Sequence, residues 1–143
     1  MPLNHYSHKW QPRFRLLLFM LCILWASPYS LFGILVGSIG CLTGGKMQRQ
    51  GCALEFHGGA TNGFLKYICG PWVSAITLGH TILGKNPELL ASCREHEWVH
   101  VRQYQRWGPF FGPAYLISSF VVWCQGKRAY RDNHFEREAY GDR

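Results

Sequence analysis

The segment NPELLASCREHEWVHVRQYQRWG, residues 86–108, carries the start and stop signals of one long helix. Asn86 is a favoured N-cap residue, and Pro87 suits the first helical position. No glycine or proline interrupts the pattern before Gly108, where a Gly-Pro pair is a stop signal. The sequence therefore predicts a helix over Pro87–Trp107.

Inside this predicted helix, His96-Glu97-Trp98-Val99-His100 spells H-E-x-x-H. Residues four apart share one face of a helix, so His96 and His100 can direct both imidazoles at one metal ion. Two histidines at this spacing are typical of zinc sites in which the intervening glutamate is the general base. We therefore predict that both histidines bind Zn²⁺ and that Glu97 is the catalytic residue.

A catalytic zinc usually takes a third protein ligand, and several acids follow the second histidine. They are Asp132, Glu136, Glu138 and Asp142. Asp132 or Asn133 can cap a short helix in this region. Glu136 and Ala139 then share a face of that helix, and the small alanine allows close approach to the histidine helix. On this pattern alone, either glutamate can complete the site.

Other polar side chains are candidates for hydrogen bonds that support the site from outside the ligand set. They are Gln103, Tyr130, His134 and Glu138. Gln103 lies on the same predicted face as His100, and such outer contacts orient metal ligands. His80, in the apolar stretch before the helix, is a weaker alternative ligand.

The pattern His96–His100 followed by Glu136-Arg137-Glu138-Ala139 resembles the gluzincin arrangement, H-E-x-x-H and then E-x-x-A. It is similar to membrane zinc endopeptidases of the heat-shock and prenyl-protein-processing type, and to small, largely uncharacterised bacterial zincin-like proteins with H-E-x-x-H-V-x-Q. The resemblance covers roughly residues 75 to 140. It implies that the two histidines and Glu136 bind zinc and that Glu97 is the base.

The resemblance also implies a zincin-like α+β fold, in which the edge strand of a small sheet pairs with an extended peptide substrate. Strand patterns occur before the helix, at Cys52–Phe56 and at Val73–Leu83. The second pattern predicts one strand with a bulge at Gly79. One departure concerns Tyr140, because the larger proteases usually have Asp directly after the alanine of E-x-x-A.

An apolar run without a charged residue extends from Leu16 to Gly45. About 20 residues suffice to cross a bilayer, so the run predicts a membrane segment between a basic tail, 1–15, and a zincin-like domain, 46–143. Ser27-Pro28 breaks the run near its middle. The run therefore forms either one kinked span or a hairpin of two half-length helices. Three glycines would allow close helix contact in a membrane: Gly33, Gly37 and Gly40.

A cleaved secretory signal peptide is a further alternative, since basic residues precede the apolar run. The run continues well beyond a signal's usual length and lacks an A-x-A site, which favours a retained anchor. Basic residues flank the run on both sides, which suits a hairpin with both ends in the cytoplasm. We therefore expect a bacterial inner-membrane protein with the zinc site facing the cytoplasm.

A second apolar stretch, Phe110–Cys124, is short for a membrane span. It predicts either a buried core helix or a helix at the bilayer interface with Trp107 and Trp123 at the headgroups. The net charge is +7, but the basic residues are scattered and no nucleic-acid recognition motif is present. The sequence therefore indicates membrane lipid, rather than nucleic acid, as the partner of these charges.

Six cysteines without a C-x-x-C pair indicate no disulfide framework, which is typical of a reducing compartment. Taken together, the patterns predict a membrane-anchored zinc metalloendopeptidase-like hydrolase acting on a peptide or protein substrate. The alternative is a non-catalytic small membrane protein, either an inactive zincin relative or an interaction protein. Nothing in the sequence indicates an oligomeric state.

Overall fold

The computed structural model describes residues 12–141, which form an α+β fold. Its helices are α1 Pro12–Trp25, α2 Ser27–Leu42, α3 Gly59–Phe64, α4 Pro87–Trp107, α5 Phe111–Cys124 and α6 His134–Ala139. Its strands are β1 Lys46–Gln50, β2 Ala53–His57, β3 Ala75–Leu78 and β4 Thr81–Gly84. A π-helical turn, Leu65–Cys69, follows α3, and a 3₁₀ turn, Gly108–Phe110, joins α4 to α5.

The four strands form one mixed sheet in the order β1-β2-β4-β3. β2 runs parallel to β4, and the other two pairings are antiparallel, which leaves β3 at one edge. Successive side chains of a strand point to opposite faces. Leu83 of β4 accordingly belongs to a core cluster with Val36 of α2, whereas Ile82 packs with Leu90 and Val101 of α4. The sheet is therefore covered by α2 on one face and by α4 on the other.

The predicted helix over Pro87–Trp107 is confirmed at both ends. The Asn86 side chain accepts a 2.8 Å hydrogen bond from the backbone N–H of Leu89, which satisfies one of the free donors of the first turn. Gly108 ends the helix with a φ of 54°, a conformation that favours glycine. Arg94 anchors the helix to the sheet through two hydrogen bonds, 2.9 and 3.0 Å, to the buried Glu55 carboxylate of β2.

The prediction of a single strand over Val73–Leu83 is wrong. The chain forms two antiparallel strands, β3 and β4, joined at Gly79 and His80. Gly79 has a φ of 64°, which is the left-handed conformation that a tight hairpin turn needs. The apolar pattern continues through the turn because Thr81 and Ile82 are buried just after it, so hydrophobicity alone did not indicate the break.

The apolar run Leu16–Gly45 is divided between α1 and α2, which meet at Ala26 with a bend of 67°. This confirms the predicted break beside Ser27-Pro28. Among the described residues, no individual helix has both the length and the apolar composition of a membrane span, whereas the bent pair together has them. The side chain of Ala26 is fully buried with Tyr104 and Phe111, so the bend belongs to the core.

The glycines of α2 allow close contact with the sheet and with the short helix α3 rather than with another membrane helix. Gly33 faces Thr81, Gly37 faces the ring of Phe56, and Gly40 faces Thr61. A Cβ atom at Gly37 would overlap the Phe56 ring. The small face of α2 is thus buried on β2, β4 and α3, while its outer face is apolar and exposed. The exposed residues of that face are Leu31, Phe32, Leu35, Ile39 and Leu42.

α5 is not a buried core helix, because Phe111 is its one buried residue. Exposed apolar side chains cover its outer face: Leu116, Ile117, Phe120, Val121 and Trp123. The opposite face holds α6 through Asn133, which caps α6 and donates to Tyr115 O at 3.0 Å and to Ser119 Oγ at 2.7 Å. The predicted short helix is confirmed, with Asn133 rather than Asp132 as its cap, and α5 fixes its position against α4.

Candidate metal centre

Three side chains from two helices converge beside the buried face of α4. His96 Nε2 lies 3.2 Å from His100 Nε2. Glu136 of α6 directs one carboxylate oxygen at each imidazole, with Oε2 3.1 Å from His96 Nε2 and Oε1 3.4 Å from His100 Nε2. One ligand-type atom from each residue lies within 4.8 Å of the other two. The structure therefore brings together His96, His100 and Glu136.

The donor set and its spacing fit a tetrahedral zinc ion. Zn–N and Zn–O bonds of about 2.0–2.1 Å place ligand atoms about 3.3 Å apart, close to the separations between these side chains. Glu136 Oε2 is buried and has no hydrogen-bond partner among the described residues. A buried carboxylate oxygen without a donor is costly, and a cation would supply its missing partner.

Gln103 determines which nitrogen of His100 carries the proton. The Gln103 amide Nε2 donates to Phe135 O at 3.1 Å and to Glu138 Oε2 at 2.8 Å, so its Oε1 must accept. His100 Nδ1 lies 2.8 Å from that oxygen and is therefore the donor. The lone pair of His100 Nε2 consequently faces His96 and Glu136, as metal binding requires.

The two glutamates of α6 have different partners. Glu136 is 2% exposed and faces the histidines, whereas Glu138 pairs with Arg106 at 2.7 Å and accepts from Gln103. Glu138 therefore supports the amide that orients His100, without reaching the histidine pair. The geometry favours Glu136 over Glu138 as third ligand.

Tyr115 of α5 is a site residue that the sequence pattern did not indicate. Its hydroxyl donates a 2.7 Å hydrogen bond to Glu136 Oε1. Burial, followed by the charge of Glu136 and this hydrogen bond, raises the pKa of Tyr115, so the phenol remains a donor. Tyr115 lies in the apolar stretch Phe110–Cys124, where no helical pattern of polar residues marks a site face. Its hydroxyl group among aliphatic side chains was the one sign of a polar role.

Glu97 lies on the sheet side of α4, next to the histidine pair. It is 5% exposed, and its Oε2 accepts a 2.7 Å hydrogen bond from the Thr77 hydroxyl of β3. Burial raises the pKa of Glu97 above its ordinary value, although the charges of the two histidines and the Thr77 hydrogen bond act in the opposite direction.

Without a metal, His100 and Glu136 stabilise each other's charged forms. Burial acts to lower the pKa of His100, but hydrogen bonding to Glu136 and the charges of Glu97 and Glu136 outweigh it and raise the pKa. Burial likewise acts to raise the pKa of Glu136. Protonated His96 and His100, 3.1 and 3.4 Å away, together with the hydrogen bond from Tyr115, hold the pKa of Glu136 well below its usual range. The Glu136 carboxylate is therefore ionised, as a metal ligand must be.

The remaining sequence candidates lie outside the cluster. His134 is exposed, and its ring packs on Phe135. His80 is buried at the β3–β4 turn beside Gln105 and is not part of the ligand cluster. Asp132 pairs with Arg128, and Asp142 falls beyond the last described residue.

Two tyrosines lie at the outer side of the site. The Tyr140 ring packs on the His96 ring with centroids 4.5 Å apart. Tyr130, which is 55% exposed, places its hydroxyl 3.5 Å from that of Tyr140. Arg131 lies over the Tyr140 ring, with 3.9 Å between its guanidinium carbon and the ring centroid. The position after Ala139 therefore contributes an aromatic cover over His96.

Comparisons of the chain with descriptions of known protein families, with curated proteins and with solved structures gave no match.

Proposed function

We propose that this protein is a membrane-associated, zinc-dependent peptidase-like hydrolase. The observation that carries the proposal is the convergence of His96, His100 and Glu136 within 4.8 Å, with Glu97 next to His96 on the same helix. Two histidines and a glutamate leave one position of a tetrahedral zinc open, which is the pattern of a catalytic site. A zinc ion held by these three residues would supply Lewis acidity, which polarises a carbonyl group and lowers the pKa of bound water.

Each neighbouring side chain has a part in this scheme. Glu97 would take a proton from the attacking water and deliver it to the leaving amine. Gln103 holds His100 in the tautomer that presents Nε2. Tyr115 holds Glu136 through Oε1.

Exposed apolar surface supports the membrane part of the proposal. α1 has no buried residue, and α5 and the outer face of α2 expose large aliphatic and aromatic side chains. Soluble monomers rarely expose apolar surface on this scale. Basic residues lie at the ends of these helices, which suits anionic headgroups. They are Arg13, Arg15, Lys127 and Arg128. We propose a peptide or protein substrate at the cytoplasmic side of a bacterial inner membrane.

Metal analysis of purified protein tests the zinc site directly. Wild-type protein should hold one zinc per chain after exposure to Zn²⁺ and desalting, and His96→Ala should hold almost none. His134→Ala is the matched control, because this histidine is exposed on the helix that carries Glu136. A wild-type protein that folds but retains no zinc would end the proposal.

The catalytic step has its own test. Glu97→Gln should retain zinc but lose hydrolysis of fluorescein-labelled casein, because the amide cannot accept a proton from water. Equal activity of the two proteins would exclude Glu97 as the base.

A vesicle experiment tests membrane association. Wild-type protein should co-sediment with phosphatidylglycerol-containing vesicles more strongly than with phosphatidylcholine vesicles. Leu24→Glu, on α1, should weaken binding by more than about tenfold, since a charge in the apolar layer is costly. Met47→Glu is the matched control, because this residue is comparably exposed on β1. Equal binding by the two variants would contradict a membrane role for α1.

A structural zinc site without catalysis is the second candidate function. The observation that favours it is the burial of the cluster, with Glu136 2% and His100 7% exposed and the Tyr140 ring packed on His96. In that case zinc would join α4 to α6, and Glu97→Gln would change neither metal content nor any activity. Zinc binding without hydrolysis in wild-type protein would select this function.

A further inference from the structure

Thr77 links the edge of the sheet to the carboxylate beside the proposed zinc site. It lies in β3, and its hydroxyl is 2.7 Å from Glu97 Oε2 and 3.2 Å from the Glu97 backbone oxygen. A hydroxyl has one proton to donate, and the shorter contact goes to the carboxylate. Both residues are 5% exposed, so water does not compete freely for this hydrogen bond.

The position of the Thr77 hydroxyl is fixed by its surroundings. Thr77 is paired with the fully buried Ile82 of β4, which itself packs with Leu90 and Val101 of α4. Threonine is branched at Cβ and therefore has restricted rotation about χ1. The strand, its pairing and the rotamer together hold the donor at one place relative to α4.

The Glu97 side chain, by contrast, has three rotatable bonds. Hydrogen bonding through Oε2 selects one orientation of the carboxylate and leaves Oε1 for a reacting water. A general base must lie within hydrogen-bond reach of the proton it takes, and a misplacement of about 1 Å can cost about 100-fold in rate. Restricting this rotation before substrate arrives would therefore contribute to rate without contributing to metal affinity.

We propose that Thr77 is a positioning residue that orients the Glu97 carboxylate for proton transfer. The inference rests on the proposed hydrolytic function and assigns to the edge strand a role in holding the base. Thr77 acts through Glu97 and is not itself part of the ligand cluster.

Two substitutions separate the hydroxyl from the shape of the side chain. Thr77→Val keeps the branched shape and removes the donor, whereas Thr77→Ser keeps the donor. We expect Thr77→Val to lower kcat on labelled casein by about 10- to 100-fold with KM unchanged, and Thr77→Ser to restore most of the rate. Zinc content should be the same in all three proteins.

A spectroscopic measurement gives a readout that does not depend on a substrate. The visible absorption of Co²⁺-substituted protein reports protonation events beside the metal, so its pH profile responds to the orientation of the base. We expect Thr77→Val to change the midpoint of this profile and Thr77→Ser to leave it close to that of the wild type. Within the Glu97→Gln background, adding Thr77→Val should cause no further change.

The outcomes distinguish the inference from the proposed function. Absence of Co²⁺ binding and of hydrolysis in wild-type protein would overturn the proposed function. Wild-type kcat and an unshifted Co²⁺ profile in Thr77→Val, alongside a defective Glu97→Gln, would overturn the role of Thr77 alone. If Thr77→Val does not fold, Thr77→Ser and Thr77→Ala decide the matter, since loss of rate in both would indicate a structural role rather than a positioning one.

Discussion

The Tyr115 hydroxyl donates a 2.7 Å hydrogen bond to Glu136 Oε1, so a helix with an exposed apolar outer face holds the third residue of the candidate metal centre. Asn133 strengthens the same connection, since it caps α6 and donates to Tyr115 O and Ser119 Oγ. The position of Glu136 therefore depends on α5 as well as on its own short helix.

Removing this hydrogen bond should weaken zinc binding without unfolding the protein. Tyr115→Phe leaves the ring in its contacts and leaves Asn133 in place. Loss of a hydrogen bond to a metal ligand typically costs 10- to 100-fold in affinity, and we expect a change of about that size in the zinc Kd. Competition with a fluorescent chelator measures it. Tyr130→Phe is the control, because its exposed hydroxyl faces Tyr140 at 3.5 Å. Equal losses in both variants would contradict the assignment.

Gln103 should contribute to stability as well as to metal affinity. Gln103→Leu preserves approximate size but removes the acceptor for His100 Nδ1 and the donor to Phe135 O. A buried polar group left without its partner costs about 1–3 kcal/mol, and chemical unfolding of the metal-free protein should show a loss in this range. Gln125→Leu, at an exposed position after α5, should change the unfolding free energy by less than about 0.5 kcal/mol.

The metal-free protein should have a pH window of greatest stability. The pKa of Glu136 lies below its ordinary 4.5. Its contribution to the free energy of unfolding is therefore complete above pH 4.5 and is lost as the pH falls through the lowered pKa. The pKa of His100 lies above its ordinary 6.5. Its contribution to the free energy of unfolding is therefore complete below pH 6.5 and is lost as the pH rises through the raised pKa. Thermal unfolding in EDTA should therefore show a maximum between these two pH values.

Substitution tests this assignment. Glu136→Gln should flatten the maximum, and a maximum that survives in this variant would assign it to other groups. With Zn²⁺ present, the gain in Tm should grow as the pH rises above 6.5, because protons no longer compete for His100.

The glycine row of α2 should tolerate no side chain at its centre. Gly37→Ala places a methyl group against the Phe56 ring, and overpacking of this kind costs about 1–3 kcal/mol. Gly63→Ala is the matched control, because a Cβ there meets nothing within 4 Å. It should leave stability unchanged or increase it by up to about 1 kcal/mol. Equal effects of the two substitutions on thermal unfolding would contradict the close contact between α2 and the sheet.

Local signals in the sequence were sufficient for the helices that carry the candidate site. Asn86, Pro87 and Gly108 define α4 because capping and helix termination depend on neighbouring residues. Asn133 defines the start of α6 for the same reason. The spacing of His96 and His100 also sufficed to place both imidazoles on one face, since the geometry of a helix is regular.

Contacts between distant elements could not be predicted in this way. The hydrogen bonds of Tyr115 with Glu136 and of Thr77 with Glu97 join positions 21 and 20 residues apart, and no local pattern specifies either one. The glycines of α2 were expected to face another membrane helix, but Gly33 and Gly37 face the sheet and Gly40 faces the short helix α3, because small residues indicate close approach but not its partner. The turn at Gly79 was missed because burial continues on both sides of it.

The two edges of the sheet differ in charge. β1 carries Lys46 and Arg49, and charges of this kind discourage the addition of another strand. β3, with the sequence AITL, carries none. An incoming extended chain would therefore add at β3, the strand that contains Thr77.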